Sequence, residues 1–252
     1  MNKLVIVVSI VIMGVVSAGS AIAAGGSVAL DHADNNVANT DSLQRGMSNF
    51  MNYCSGCHSA KYVRYNTLGE ALGLSDEQLI NNLMFNADKT HETINVAMRE
   101  SDAQAWFAQV PPDLSLIARS KGADHIYTFL RSYYADSSSR TGWNNTLVAG
   151  VSMPHVLWEL EGVKVPGHAD DAHDGEDDGH GSDKPAYDVV SAGALASEDY
   201  DQFVRDTVNF LAFISEPVQL QRQKIGVWVM AFLIIFGLLA YMLKKEIWKE
   251  VK

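Results

Sequence analysis

The 252-residue sequence predicts a mostly α-helical domain with long loops, exported and held to a membrane by one C-terminal transmembrane helix. Three observations lead there. Residues 225–243 hold no charged side chain, and as a helix they would reach roughly 28 Å, about the thickness of a bilayer's apolar layer. Elsewhere apolar residues recur at helical spacing, alternating patterns are scarce, and no internal repeat or βαβ rhythm is visible. The chain opens with Lys3, an apolar run over 4–16 and an Ala-x-Ala ending within 20–24, which together have the form of a secretory signal peptide cleaved near Ala23.

Taken in order, residues 42–53 place Leu43, Met47, Phe50 and Met51 on one face of a helix. Ser75 and Gln78 have the spacing of a capping box, opening a helix through Leu79, Leu83 and Met84. Further helices are expected over 124–134 and 197–214, the second stopped by Pro217. Residues 167–184 contain seven acids and three histidines (His168, His173, His180) among Gly and Ala, so they are expected as a solvated, flexible loop. Trp228 and Tyr241 lie near the ends of the apolar run, where amphipathic rings favour the interface. Lys244, Lys245, Lys249 and Lys252 follow it, which puts the tail in the cytoplasm by the positive-inside rule. The expected division is a signal peptide over 1–23, an exported domain over 24–224, a span over 225–243 and a cytoplasmic tail over 244–252.

Thirty acids against 19 bases give a net charge of −11. The exported part is more acidic still, because five of the lysines and only two of the acids lie in the end segments. Such a surface repels phosphate backbones, which excludes nucleic acid as a main partner, and attracts basic proteins at low salt. Two cysteines cannot build a disulfide framework.

Those two cysteines carry the chemistry. Cys54-Ser55-Gly56-Cys57-His58 is a C-x-x-C-H motif at the end of an amphipathic helix. Two thiols one turn apart can reach the two vinyl groups of one haem, while the adjacent imidazole turns to the iron. A structural zinc site would need a second cysteine pair, and a thioredoxin-like pair expects a βαβ setting. The motif, the export signal and the absence of other cysteines together predict one covalently bound haem c with His58 as a ligand.

The ligand on the second face decides between carrier and catalyst. Of nine methionines, Met1, Met13, Met230 and Met242 lie in the terminal apolar segments, and Met47 and Met51 share the helix that leads to Cys54. Met84, Met98 and Met153 remain. Met153 is the best candidate, since it follows a Gly-containing loop and precedes Pro154, which fixes the chain. His155 is the runner-up, followed by His32, His91 and His125. A weakly held sixth position would instead suit a haem peroxidase or gas sensor, and free thiols would suit a thiol–disulfide oxidoreductase.

The sequence resembles the cytochrome c1 family, the haem subunits of the proteobacterial cytochrome bc1 (ubiquinol–cytochrome c reductase) complex. The resemblance rests on segments 42–46, 62–66, 111–115, 142–145, 153–158, 216–217 and 243–248, in that order around the haem motif. It implies a cytochrome c-like haem domain with long loop insertions, Met153 as the axial methionine and Pro112 beside the haem. Arg119 resembles the arginine placed near a haem propionate. It further implies no enzyme activity of the chain alone. Electrons would come from a Rieske iron–sulfur protein and leave to a soluble or tethered cytochrome c, with cytochrome b as the other membrane partner. The implied place is the bacterial inner membrane, with the haem domain in the periplasm. Two departures stand out: residues 147–152 are usually richer in Pro, Phe and Gly, and His125 stands where an aromatic residue is more usual.

Overall fold

The computed structural model describes residues 29–167 and 187–249. The expected signal peptide, and residues 168–184 of the acidic segment with its three histidines, lie outside the described residues. Nine helices and six short strands are present among the described residues. In chain order these are α1 (Thr40–Tyr53), β1 (Ala60–Arg64), α2 (Tyr65–Leu72), α3 (Asp76–Asn82), β2 (Thr93–Ile94), α4 (Glu100–Phe107), α5 (Ile117–Lys121) and α6 (Ala123–Arg131). They are followed by β3 (Tyr133–Ala135), β4 (Trp143–Asn145), α7 (Trp158–Glu161), β5 (Gly162–Pro166), β6 (Tyr187–Ala192), α8 (Ser197–Ser215) and α9 (Gln219–Ile247).

The central packing unit is α1 against α8. The Asn39 side chain caps α1 by accepting from the Ser42 amide at 3.2 Å, and the helix then buries Leu43, Met47, Phe50 and Met51, the face its spacing predicts. Each such side chain contributes about 1.5–3 kcal/mol by leaving water. Gly46 lets the helices meet backbone to backbone, since a Cβ there would stand 2.0 Å from the Asp206 carbonyl oxygen. Around this contact lies a buried polar cluster. Asp206 accepts from Ser42 Oγ at 2.6 Å, Arg45 Nε at 2.6 Å and Gln202 Nε2 at 2.9 Å. The Asn209 amide donates to Ser42 Oγ and to the Asn36 carbonyl, both at 2.9 Å. A buried carboxylate is stable here because each of its oxygens meets donors.

The capping box at Ser75 forms in both directions, and α3 ends at Asn82, with Leu83 as its C-cap. The helix expected over 124–134 starts one residue earlier and stops at Arg131. Tyr133 and Tyr134 leave it to pair with Asn145 and Asn144 in the β3–β4 ribbon. The periodicity there is deceptive: Tyr133 is buried, but against the ring of His155 at 4.8 Å rather than on a helical face. Arg131, the last residue of α6, bonds Asp201 of α8 and Asp31, each at 2.6 Å, tying three segments together. All three sheets are two-stranded antiparallel ribbons, too short to leave an alternating signature in the sequence.

Beyond Pro217, α9 contains the whole expected span and is long and apolar enough to cross a membrane. None of it is buried in the protein.

Candidate haem site

The C-x-x-C-H segment forms where α1 ends. Cys54 caps the helix, its amide bonding the Phe50 carbonyl at 2.9 Å, and the amides of Cys57 and His58 both turn back to the Cys54 carbonyl, at 3.0 and 2.9 Å. Ser55 Oγ closes the turn on the Met51 carbonyl at 2.7 Å. This compact turn aims Cys54, Cys57 and His58 into one cavity of about 410 Å³, a size within the usual range for cofactor sites. Its walls are apolar, among them Leu114, Ile117, Ile126, Phe129, Val156 and Leu211.

His58 is buried, and its Nδ1 lies 2.8 Å from the Pro112 carbonyl oxygen. A carbonyl only accepts, so Nδ1 carries the proton and Nε2 keeps its lone pair. Burial lowers the His58 pKa, with the Pro112 bond and Asp113 working partly against it, so the ring is neutral as a metal ligand must be. Pro112 is itself held in place. Asp113 accepts from Ser59 Oγ at 2.7 Å and from the Lys61 and Ser115 amides at 2.8 and 3.0 Å. The Leu114 amide meets the Ser59 carbonyl at 2.8 Å, and the Tyr62 amide meets Ser115 Oγ at 3.1 Å. Burial alone would raise the Asp113 pKa, but these donors hold it below the ordinary carboxylate value.

Met153 lines the same cavity, with its carbonyl accepting from the Tyr133 hydroxyl at 3.3 Å. The loop before it is organised by two side chains of β4. Asn145 Oδ1 accepts from the Leu147 and Val148 amides at 2.9 and 3.1 Å, and Asn144 Oδ1 accepts from the Gly150 amide at 2.9 Å. His155 does not reach the cavity. It is buried between the stacked ring of Tyr133 and the edge of Trp143, with Nε2 2.8 Å from Glu161 Oε2 but not aligned for a hydrogen bond. Met84 is a core residue, and neither it nor Met98 lines the cavity. His32 is exposed beside Asp124, and His91 is exposed with its carbonyl bonded by Arg64.

The structure therefore brings Cys54, Cys57, His58, Pro112 and Met153 to one cavity. Arg119 is not on its wall. Its side chain is 62% exposed, with Nη1 3.9 Å from Glu216 Oε1. His125 and Lys121 do line the cavity, and Lys121 was missed because one lysine in a loop-flanked helix carries no motif.

The donor set fits a covalently bound haem: two thiols, a neutral imidazole with a free nitrogen, and a thioether, all on an apolar cavity. It does not fit redox-active thiols. Burial, aided by Cys57, pushes the Cys54 thiol up to about 12, whereas reactive cysteines sit in surroundings that lower it. Among the described residues no group of three or more His, Cys, Asp or Glu side chains converges as a metal cluster, which leaves the zinc reading without a ligand set.

The model of the Cytochrome C1 family matches residues 34–174 and 186–251. A cytochrome c1 of Allochromatium vinosum is 43% identical over 234 residues, covering 91% of this chain and 93% of its own. A protein of Nitrosomonas europaea named ammonia monooxygenase gamma subunit is 39% identical, covering 90% and 91%. Cytochrome c1 of Rhodospirillum rubrum is 28% identical, covering 83% and 82%. A chain of a hyperthermophilic respiratory complex III aligns over 84% of this chain and 77% of its own, at TM-score 0.37 and 16% identity. The chain thus belongs to the cytochrome c1 family: it is a haem-containing, membrane-anchored electron-transfer subunit of the respiratory bc1 complex, and not an enzyme by itself.

Proposed function

We propose that this chain carries one haem c, joined by thioethers to Cys54 and Cys57, with His58 Nε2 and Met153 as axial ligands. It takes electrons from a Rieske iron–sulfur protein and passes them to a soluble or tethered cytochrome c, beside cytochrome b in the membrane. The observation that carries this reading is the His58–Pro112 bond, which leaves Nε2 as a lone-pair donor on the cavity that Cys54, Cys57 and Met153 also line.

The bound iron porphyrin supplies a one-electron couple. The chain's own residues do the rest. Pro112 and Asp113 orient His58, so little rearrangement accompanies a change of charge at its Nε2. Leu114, Ile126, Phe129 and Leu211 exclude water. Met153 supplies sulfur, which favours the reduced state relative to a second imidazole. The acidic domain steers a basic acceptor. Residues 1–23 act as a cleaved signal peptide, 24–224 lie in the periplasm, 225–243 span the bacterial inner membrane and 244–252 face the cytoplasm.

A pyridine haemochrome spectrum with mass spectrometry of the mature chain tests the cofactor. The expected mass is that of the polypeptide from about residue 24 plus one haem, and a bare polypeptide mass overturns the proposal. Reduction of cytochrome c by the purified complex tests steering. It should slow steadily as salt rises, and indifference to ionic strength would remove electrostatic steering from the account.

A further inference from the structure

The membrane anchor carries basic residues at both ends, and only one end needs them for orientation. Lys244 and Lys245 follow the apolar run, where the positive-inside rule accounts for them. Arg222 and Lys224 precede it, on the flank where that rule gives no reason for cations, in a chain of net charge −11. Helix α9 starts at Gln219 and its apolar run at Ile225, so Arg222 stands roughly 4.5 Å outside the apolar layer. That depth falls within the headgroup region, about 5–7 Å thick on each side of a bilayer.

Arg222 does not stand alone. Its Nε donates to Glu216 Oε1 at 2.6 Å, and Nη1 of Arg119, from α5, is 3.9 Å from that same oxygen. Glu216, the C-cap of α8, thus gathers guanidiniums from two other helices. The Arg222 bond holds its carboxyl below the ordinary carboxylate value, outweighing slight burial, and Arg119 adds to this, so Glu216 stays ionised. One carboxylate does not balance two guanidiniums and the nearby Lys224, none of which has another ion-pair partner among the described residues. Arg222 spends one N–H on Glu216, and Arg119, at 3.9 Å, spends none. The remaining donors have the planar fork that fits phosphate oxygens. Leu116 at the start of α5, and Val218 and Leu220 at the start of α9, are exposed although they lie outside the apolar run. Surplus positive charge beside exposed apolar side chains, at headgroup depth, suits an amphiphile with an anionic head. We propose that Arg119 and Arg222, paired by Glu216 and joined by Lys224, hold the phosphate of an anionic phospholipid at the end of α9 that adjoins the haem domain. The inference goes beyond the electron-transfer reading and rests only on α9 as the membrane anchor.

The test uses the full-length, haem-loaded chain, delipidated in detergent, and reads phospholipid binding by native mass spectrometry. The variants are Arg119→Gln, Arg222→Gln and Arg222→Lys. Both arginine side chains are 62% exposed, so their replacement disturbs no core contact, and haem absorbance verifies that each variant has folded. The parent should bind phosphatidylglycerol more tightly than phosphatidylcholine, and each glutamine variant should weaken the phosphatidylglycerol complex about fivefold. Arg222→Lys should weaken it too, because lysine keeps the charge but lacks the fork. Inorganic phosphate at the lipid's concentration should not displace it. The proposal is overturned by equal affinity for the two lipids or by parent affinity in the glutamine variants, which would leave the cations to an acidic partner subunit. It is also overturned by parent affinity in Arg222→Lys, the mark of unspecific surface attraction, and by displacement with phosphate, the mark of a soluble anion. A chain that stays in solution without detergent would defeat the anchor itself, and one without attached haem would defeat the functional reading but not this site.

Discussion

The two sides of the haem cavity are organised by different kinds of residue. On the histidine side the organiser is Asp113, a partly exposed carboxylate that gathers Ser59, Lys61 and Ser115 and so positions the Pro112 carbonyl against His58. On the methionine side it is Asn145, 1% exposed and uncharged, which accepts from the Leu147 and Val148 amides and donates to the Phe129 carbonyl at 2.8 Å. A charged organiser near solvent makes strong bonds cheaply but depends on pH. A neutral one tolerates full burial without that dependence, because no ion has to leave water. The histidine side should therefore loosen in acid, and the two loop amides that Asn145 holds should not.

The sharpest way to break the comparison is to remove the methionine itself. Met153→Ala should leave the haem attached through Cys54 and Cys57. The potential should fall by at least about 59 mV, a tenfold change in the one-electron equilibrium, and the reduced form should bind CO. An unchanged potential would pass the axial role to His125, the remaining cavity-lining candidate. Asn145→Leu comes next. It strands two amides and a carbonyl in the interior, so chemical denaturation should show a loss of about 3 kcal/mol. The methionine–iron charge-transfer band should weaken equally at neutral and mildly acid pH.

Asp113→Asn should be the gentlest change, costing about 1 kcal/mol at neutral pH, because one acceptor oxygen survives. Its pH dependence is the informative part. Since the folded state holds the Asp113 pKa below its ordinary 3.8, the stabilisation is complete above that value and is lost as pH falls through the lower folded value. Parent and variant should therefore converge in stability below about pH 3.8, as followed by acid titration of the haem spectrum. A constant gap across that range would show that the charge of Asp113 contributes nothing.

Helices α1 and α8, the capping box at Ser75 and the apolar run within α9 were legible because each depends on neighbours within one or two turns. Residues 133 and 134 were misread as helix because their helical spacing is the same whether the partner is a helix face or a histidine ring far along the chain. The C-x-x-C-H motif was likewise legible, since it occupies five consecutive residues.

Contacts between distant segments decided the rest. Only the folded chain sets Pro112 against His58 across 54 positions, sends His155 under the methionine loop instead of into the cavity, and turns Arg119 towards Glu216 while Lys121 and His125 line the wall. Local pattern specifies which groups are available. Which of them meet is fixed by packing, because burial and hydrogen-bond satisfaction are properties of the whole interior rather than of any stretch of sequence.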